Sequence, residues 1–347
     1  MIHTTVGPYT FATFLFSFYN VTMPTAVLTH TSALEYWRCV PAQGTAEHAE
    51  FPSSSFGRAP HRHELAGLAD TAPLQQLSKP LTLLTPHRDE RRSTAAATYI
   101  CQQGPFPEGS FVTIGYDAAS ETTLAVCSPE LLFIQATKSC SAFDTIALGF
   151  ELCGGYMGKE PVSTPERLSS FAEKAQGMSG AKQARRYARL ILPDATSLEA
   201  TRLAMLVHLP RSLGGLGIAA PQLNARIPAP DEAARIIGSR HFTPDLFWPE
   251  INVAVEYDSR EWHSAQTHVE HTRRKQLAYT LAGVDVISLD RTQIRELDLV
   301  RELFEQVDHK LGNRKLPVNE KQKKRQRQAH EALCKLGPTA RIEARRA

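Results

Sequence analysis

His241-Phe-Thr-Pro-Asp-Leu-Phe-Trp-Pro-Glu-Ile-Asn-Val-Ala-Val-Glu-Tyr-Asp-Ser-Arg-Glu-Trp-His263 is the stretch on which the fold turns. It reads as two short strands joined by a turn, residues 243–248 and 251–258. The second strand alternates. Val253, Val255 and Tyr257 fall on one face, Ala254, Glu256 and Asp258 on the other. Two carboxylates on one face of a half-buried strand are unfavourable unless a cation faces them. Their repulsion is expected to raise one of the two pKa values. Asp245, 11 residues before Glu256, comes within reach across the hairpin. Carboxylates converging at a sheet are how proteins hold Mg²⁺. A metal held there can activate water against a phosphodiester.

Working outward, Asp194-Ala-Thr-Ser197 caps a helix over residues 197–209 that carries Glu199. Downstream, the pattern predicts a helix over 269–282, a strand over 284–289 and a helix over 292–311. Val284, Val286, Ile287 and Leu289 mark that strand as buried. A helix, a hairpin and a crossover helix leading to another strand predict an α/β sandwich with a mixed sheet. Arg273, Arg274 and Lys275 lie near the start of the crossover helix. One helical turn spreads them over different faces, so Arg274 or Lys275 is expected to offset the carboxylates or hold a phosphate.

These residues resemble the PD-(D/E)XK nuclease superfamily. The nearest branch is the very-short-patch-repair-like endonucleases and related uncharacterised endonuclease-like domains. The resemblance rests on Pro244-Asp-Leu-Phe-Trp-Pro-Glu-Ile-Asn-Val-Ala-Val-Glu-Tyr-Asp-Ser-Arg-Glu-Trp-His263. It continues in His271-Thr-Arg-Arg-Lys-Gln-Leu-Ala-Tyr-Thr-Leu-Ala-Gly-Val-Asp-Val-Ile-Ser-Leu-Asp-Arg-Thr-Gln293 and spans roughly residues 165–310. It implies a restriction-endonuclease-like α/β core and Mg²⁺- or Mn²⁺-dependent cleavage of nucleic acid, DNA first. Asp245 and Glu256 would be the metal ligands. Glu199, Asp258 and His263 would complete the catalytic set, and Gln293 matches the closing Gln. Three positions depart from the pattern. Asp258 stands where the wider superfamily has Lys, Ser259 where Gly is usual, and His271 where an acidic residue usually opens the helix. Without that Lys, His263 is the side chain expected to move a proton. The same departures keep open a second reading, a nucleic-acid-binding or regulatory protein on a catalytically silent nuclease fold.

The remaining chain is read as a 1–28 extension, a smaller α+β domain over 29–157, the endonuclease-like domain over 165–312 and a basic tail over 313–347. The N-terminal order is a helix, four short strands, and a helix opened by Ser128-Pro129. It loosely resembles antitoxin-like or regulator-like regions that precede endonuclease-like domains. Residues 10–23 are apolar, lack Lys and Arg, and are too few for a membrane span. They read as an over-extended start, with Met23 opening the folded part, or else as an extra strand on the N-terminal domain. The six Cys show no CxxC pair, so neither zinc nor a disulfide framework is expected, and reduced cytoplasmic thiols are the default.

Net charge is +3 but uneven. Residues 313–347 hold 11 Lys and Arg against 3 Glu, leaving the rest of the chain acidic. Such a tail attracts phosphate backbones, or stands as a solvated helix end. Lys182, Arg185, Arg186 and Arg189 make a second basic face at helical spacing, with Arg185 and Arg186 the candidate nucleic-acid contacts.

Overall fold

The computed structural model describes residues 23–39, 49–69, 72–258, 265–313 and 317–336. Residues 1–22, with their apolar run, lie outside the described residues. The chain forms two compact units, one from residues 1–36 and 48–127, the other from 37–47 and 128–347. No helix among the described residues is long and apolar enough to cross a membrane.

The first unit is built on a mixed five-stranded sheet. Its strands are β1 (Thr25–Leu28), β2 (Leu81–Thr85), β3 (Ala97–Cys101), β4 (Phe111–Asp117) and β5 (Thr122–Cys127), in the order β3-β2-β1-β5-β4. β1 pairs antiparallel with β2 and parallel with β5, and all four of its residues are buried. A central strand covered on both faces has no polar side to show, so Thr-Ala-Val-Leu carries no alternation. This strand lies in the segment expected to be an extension.

The second unit opens with α1 (Pro129–Ser139), α2 (Ala142–Leu152), α3 (Pro165–Lys174) and α4 (Ala181–Ala188). The Ser128 hydroxyl accepts from the Leu131 N–H at 3.2 Å and caps α1. The first two helices were expected in the N-terminal domain. Their buried residues, Leu131, Phe133, Ile146 and Phe150 among them, belong to helices that pack with α3 and α4, so the division falls at 127/128.

Next come α5 (Leu198–His208), β6 (Gln222–Leu223), β7 (Ile227–Pro228), α6 (Asp231–Ile237), β8 (His241–Phe242), β9 (Leu246–Trp248) and β10 (Val253–Asp258). The chain closes with α7 (Ala265–Leu281), β11 (Asp285–Asp290), α8 (Leu297–Lys310) and α9 (Glu320–Lys335). The main sheet runs β11-β10-β9-β6. β10 is antiparallel to β9 and parallel to β11, with α7 as the crossover. Asn252, at φ 49°, ends the turn between β9 and β10. At the end of α7, Gly283 takes φ 69°, which a side chain would resist, and the Val284 N–H donates to the Tyr279 carbonyl at 3.0 Å.

Both faces of this sheet are covered. Phe247 and Ala254 join Ala233, Phe242, Ala278 and Tyr279 in one apolar cluster against α6 and α7. On the other face Trp248 lies 6.2 Å from the Phe304 ring of α8. Its indole N–H donates to the Ala219 carbonyl at 2.8 Å. Val253, Ala254 and Val255 are buried while Glu256 and Tyr257 are only partly so, and Glu256 stands where β10 leaves this core.

The basic tail also holds a docked helix. Asn319 and Gln322 form a reciprocal capping box at the start of α9. Gln326, Ala329, His330 and Leu333 are its buried stripe, while Lys321, Lys324, Arg325 and Arg327 stand on its more open sides. Gly214, at φ 90°, allows the close approach: a Cβ there would meet the Arg325 carbonyl and the Ala329 Cβ, each at 2.6 Å. Removing residues after Leu311 therefore strips packed surface and not only charge.

Trp248→Ala tests the sheet's dependence on its α8-facing side. It empties a fully buried site and orphans the Ala219 carbonyl. The loss should be about 3–5 kcal/mol in urea unfolding of the full chain. A loss below about 1 kcal/mol would contradict this packing.

Candidate active site at the β9–β10 edge

Leu246 pairs with Val255 across the β9–β10 ladder, so one step further Asp245 stands opposite Glu256. Directly opposed residues of an antiparallel pair project from the same face. The ladder ends there, and the Asp245 side chain takes over its last donor: Oδ2 accepts from the Tyr257 N–H at 2.7 Å. The Asp245 carbonyl accepts from the Asn224 N–H at 3.3 Å. Backbone N–H groups thus hold this residue once at its side chain and once at its main chain.

Glu256 is fixed from the helix. On α7, Lys275 and Tyr279 are four residues apart and share a face. Lys275 Nζ is 2.9 Å from Glu256 Oε1, and the Tyr279 hydroxyl donates to the same oxygen at 2.5 Å. The Glu256 side chain is only 13 % exposed, whereas Lys275 is 41 % exposed, its ammonium still reaching water. Tyr279 is fully buried, with its ring stacked on Phe242 at 4.3 Å. Burial first, and then the Glu256 charge, push the Tyr279 hydroxyl far above its usual range. It remains a donor at every ordinary pH.

The sequence left Arg274 and Lys275 as alternatives, and the geometry separates them. Lys275 faces the carboxylates. Arg274 pairs at 2.7 Å with Glu270 one turn earlier, and both are well exposed. The cation beside Glu256 is thus 19 residues further along the chain. Tyr279 had no expected role. The four-residue spacing from Lys275 was the available signal.

Glu199 lies in the first turn of α5, capped by Ser197, and is 3.7 Å from Arg202. It is near enough to act on the charge of Asp245. Burial pushes the Asp245 carboxyl up to about 6. The Tyr257 N–H opposes this, Glu256 and Glu199 add to it, and Lys275 works against it. The repulsion expected between Glu256 and Asp258 involves a side chain outside the described residues.

Asp258 ends β10 opposite Asp290, but its side chain, like that of His271 and all of Ser259 and His263, lies outside the described residues. The family pattern puts His271 at the opening of the crossover helix. α7 begins instead at Ala265, which puts His271 in its second turn. The Gln293 side chain accepts from the Asp290 N–H at 3.0 Å and shapes the turn after β11. Arg185 and Arg186 are exposed on α4, a helix that packs on α1, α2 and α3.

Two hard oxygen donors stand side by side, each with one oxygen engaged by the protein. Among the described residues, Asp245 Oδ1 and Glu256 Oε2 make no hydrogen bond. No group of three or more metal-ligating side chains occurs among the described residues. Mg²⁺ commonly takes one or two carboxylates and completes its shell with water and substrate phosphate. The pair fits such an ion by donor chemistry. Comparison with family models, with curated proteins and with solved structures finds no match for this chain.

The Asp245 carboxyl carries a stability signature. Its folded-state pKa is raised from 3.8 to about 6, so it favours the fold below about pH 4, and that contribution is lost as pH rises through 6. At pH 8 the lift works against folding by about 3 kcal/mol. Asp245→Asn keeps an acceptor for the Tyr257 N–H. Without divalent metal it should be more stable than the parent at pH 8 by up to that amount and equal to it near pH 3. A variant less stable than the parent at pH 8 would show that the Asp245 charge is needed by the fold.

Proposed function

We propose that this chain is a metal-dependent hydrolase of nucleic-acid phosphodiesters, built on a nuclease core of the PD-(D/E)XK kind. The observation that carries the reading is the opposed pair Asp245 and Glu256 with Lys275 bound to Glu256 at 2.9 Å. The element order α5, β9, β10, α7, β11 supports it, since it puts Glu199, the two carboxylates and the crossover helix in the sequence that the resemblance implies.

The division of labour follows from the contacts. Asp245 and Glu256 would hold Mg²⁺ or Mn²⁺ through their open oxygens. When bound, such an ion would supply Lewis acidity and a more acidic water. Lys275 offsets the carboxylate charge and keeps a cation beside the place where phosphate arrives. Tyr279 holds the Glu256 carboxylate in one orientation. His263 remains the expected proton carrier.

One observation favours the second reading, a silent nuclease fold that binds nucleic acid. The Lys275–Glu256–Tyr279 contacts satisfy one Glu256 oxygen twice over, which a purely structural ion pair also does.

The two readings separate on the full chain with plasmid, single-stranded DNA and RNA. A hydrolase should cut at least one of them with Mg²⁺ or Mn²⁺ and stop in EDTA. Asp245→Ala should abolish cutting, and Lys275→Met should slow it by about 10²-fold or more. Salt-sensitive binding to these substrates with no cutting under either metal would establish the silent fold instead.

A further inference from the structure

A cavity of about 270 Å³ opens beside Tyr257, on the face of β10 opposite Glu256, and takes in Glu199, which acts on the charge of Asp245. Arg202, Arg291, Arg295 and His330 line it together with Glu199 and Tyr257. Three guanidinium groups share its walls with one carboxylate, Glu199, which lies 3.7 Å from Arg202. The lining comes from four separate elements: α5, β10, the turn after β11, and α9.

The turn after β11 is pre-formed. Asp290 Oδ1 accepts from the N–H groups of Thr292 and Gln293, both at 2.8 Å, and from the Thr292 hydroxyl at 2.5 Å. The Gln293 side chain closes the ring by accepting from the Asp290 N–H. This brace carries Arg291 and Arg295, which line the cavity from the turn. Deeper in, Arg202 donates to the Leu336 carbonyl and lies beside Glu199, while its buried Nε has no hydrogen-bond partner among the described residues. The His330 ring is tied to the Ile294 carbonyl at 2.8 Å.

We infer that this cavity holds a phosphate group of the nucleic-acid strand, one or more nucleotides away from the bond cut at Asp245 and Glu256. Guanidinium forks match phosphate oxygens in pairs, and a pre-set cluster loses little side-chain entropy on binding. The volume suits a phosphate with part of its sugar and is below that of a pocket for a drug-sized ligand. The inference rests on the proposed function for the identity of the strand. It assigns a use to Gln293 and Asp290 as positioning residues for the two arginines. The phosphate belongs either to a strand end or to an internal linkage.

The test uses the full chain in EDTA, so that no cutting occurs. Binding of a single-stranded DNA oligonucleotide, with either a 5′-phosphate or a 5′-hydroxyl, is measured across salt concentrations. Parent and the double variant Arg291→Ala, Arg295→Ala are compared. Arg202 is left in place because it also anchors the end of α9. The double variant should bind more weakly, by about tenfold at low salt. Its salt dependence should flatten by about 0.7 in log–log slope for each phosphate charge it no longer neutralises. If the pocket takes a strand end, the parent prefers the 5′-phosphate, inorganic phosphate competes, and the variant loses that preference. If it takes an internal linkage, both oligonucleotides bind alike and only the slope and the overall affinity change. A variant with the parent's slope and affinity for both oligonucleotides overturns the pocket. Cutting assays with Mg²⁺ on the same proteins keep the claims apart. Cutting with an unchanged slope removes the pocket alone, and a changed slope without cutting removes the hydrolase reading alone.

Discussion

The ion pair between Lys275 and Glu256 is the constraint on which the rest of the second unit depends. It joins the crossover helix to the strand it crosses, where a buried strand carries a charge. A carboxylate that is mostly buried needs a cation or a donor, and here it has both, Lys275 and Tyr279 on successive turns. This pair sits beside the apolar packing that sets the rotation of α7, in which Ala278 and Tyr279 meet Phe242, Phe247 and Ala254. The same pairing leaves Asp245 as the group with the unbalanced charge, lifted toward pH 6 by burial and by Glu256 beside it.

Much of this was legible in the sequence because it is local. The alternation of Val253 to Asp258, the Ser197 and Ser128 caps, and the apolar run from Val284 to Leu289 each report on neighbours in the chain, and the elements appear close to their expected places. The end of the N-terminal unit was not legible. The helices after Ser128 are apolar on a broad face, and such a face does not say which unit it will join. β1 was missed for a related reason. A four-residue strand buried on both sides has neither the period nor the length that separates it from loop.

The site was legible only in part for the same reason. Asp245 and Glu256 could be paired through a hairpin, since the turn between them is short. The cation could not be assigned from one helical turn that holds Arg273, Arg274 and Lys275, because the rotation of α7 is set by packing. The arginine-lined cavity was beyond local reading altogether. Its walls come from α5, β10, the turn after β11 and α9, the last a helix that composition alone presented as a basic tail.

Whether the Asp245–Glu256 pair is a cation site decides the rest. The direct measurement is Mn²⁺ titration of the full chain by electron paramagnetic resonance, reading free ion at about pH 7.5 and again at about pH 5, on either side of the raised Asp245 pKa. Saturable binding is expected at the higher pH, weakening at the lower one as the proton on Asp245 competes with the metal, and disappearing in Asp245→Asn. Binding that is absent in the parent, or equally strong in Asp245→Asn, would contradict it.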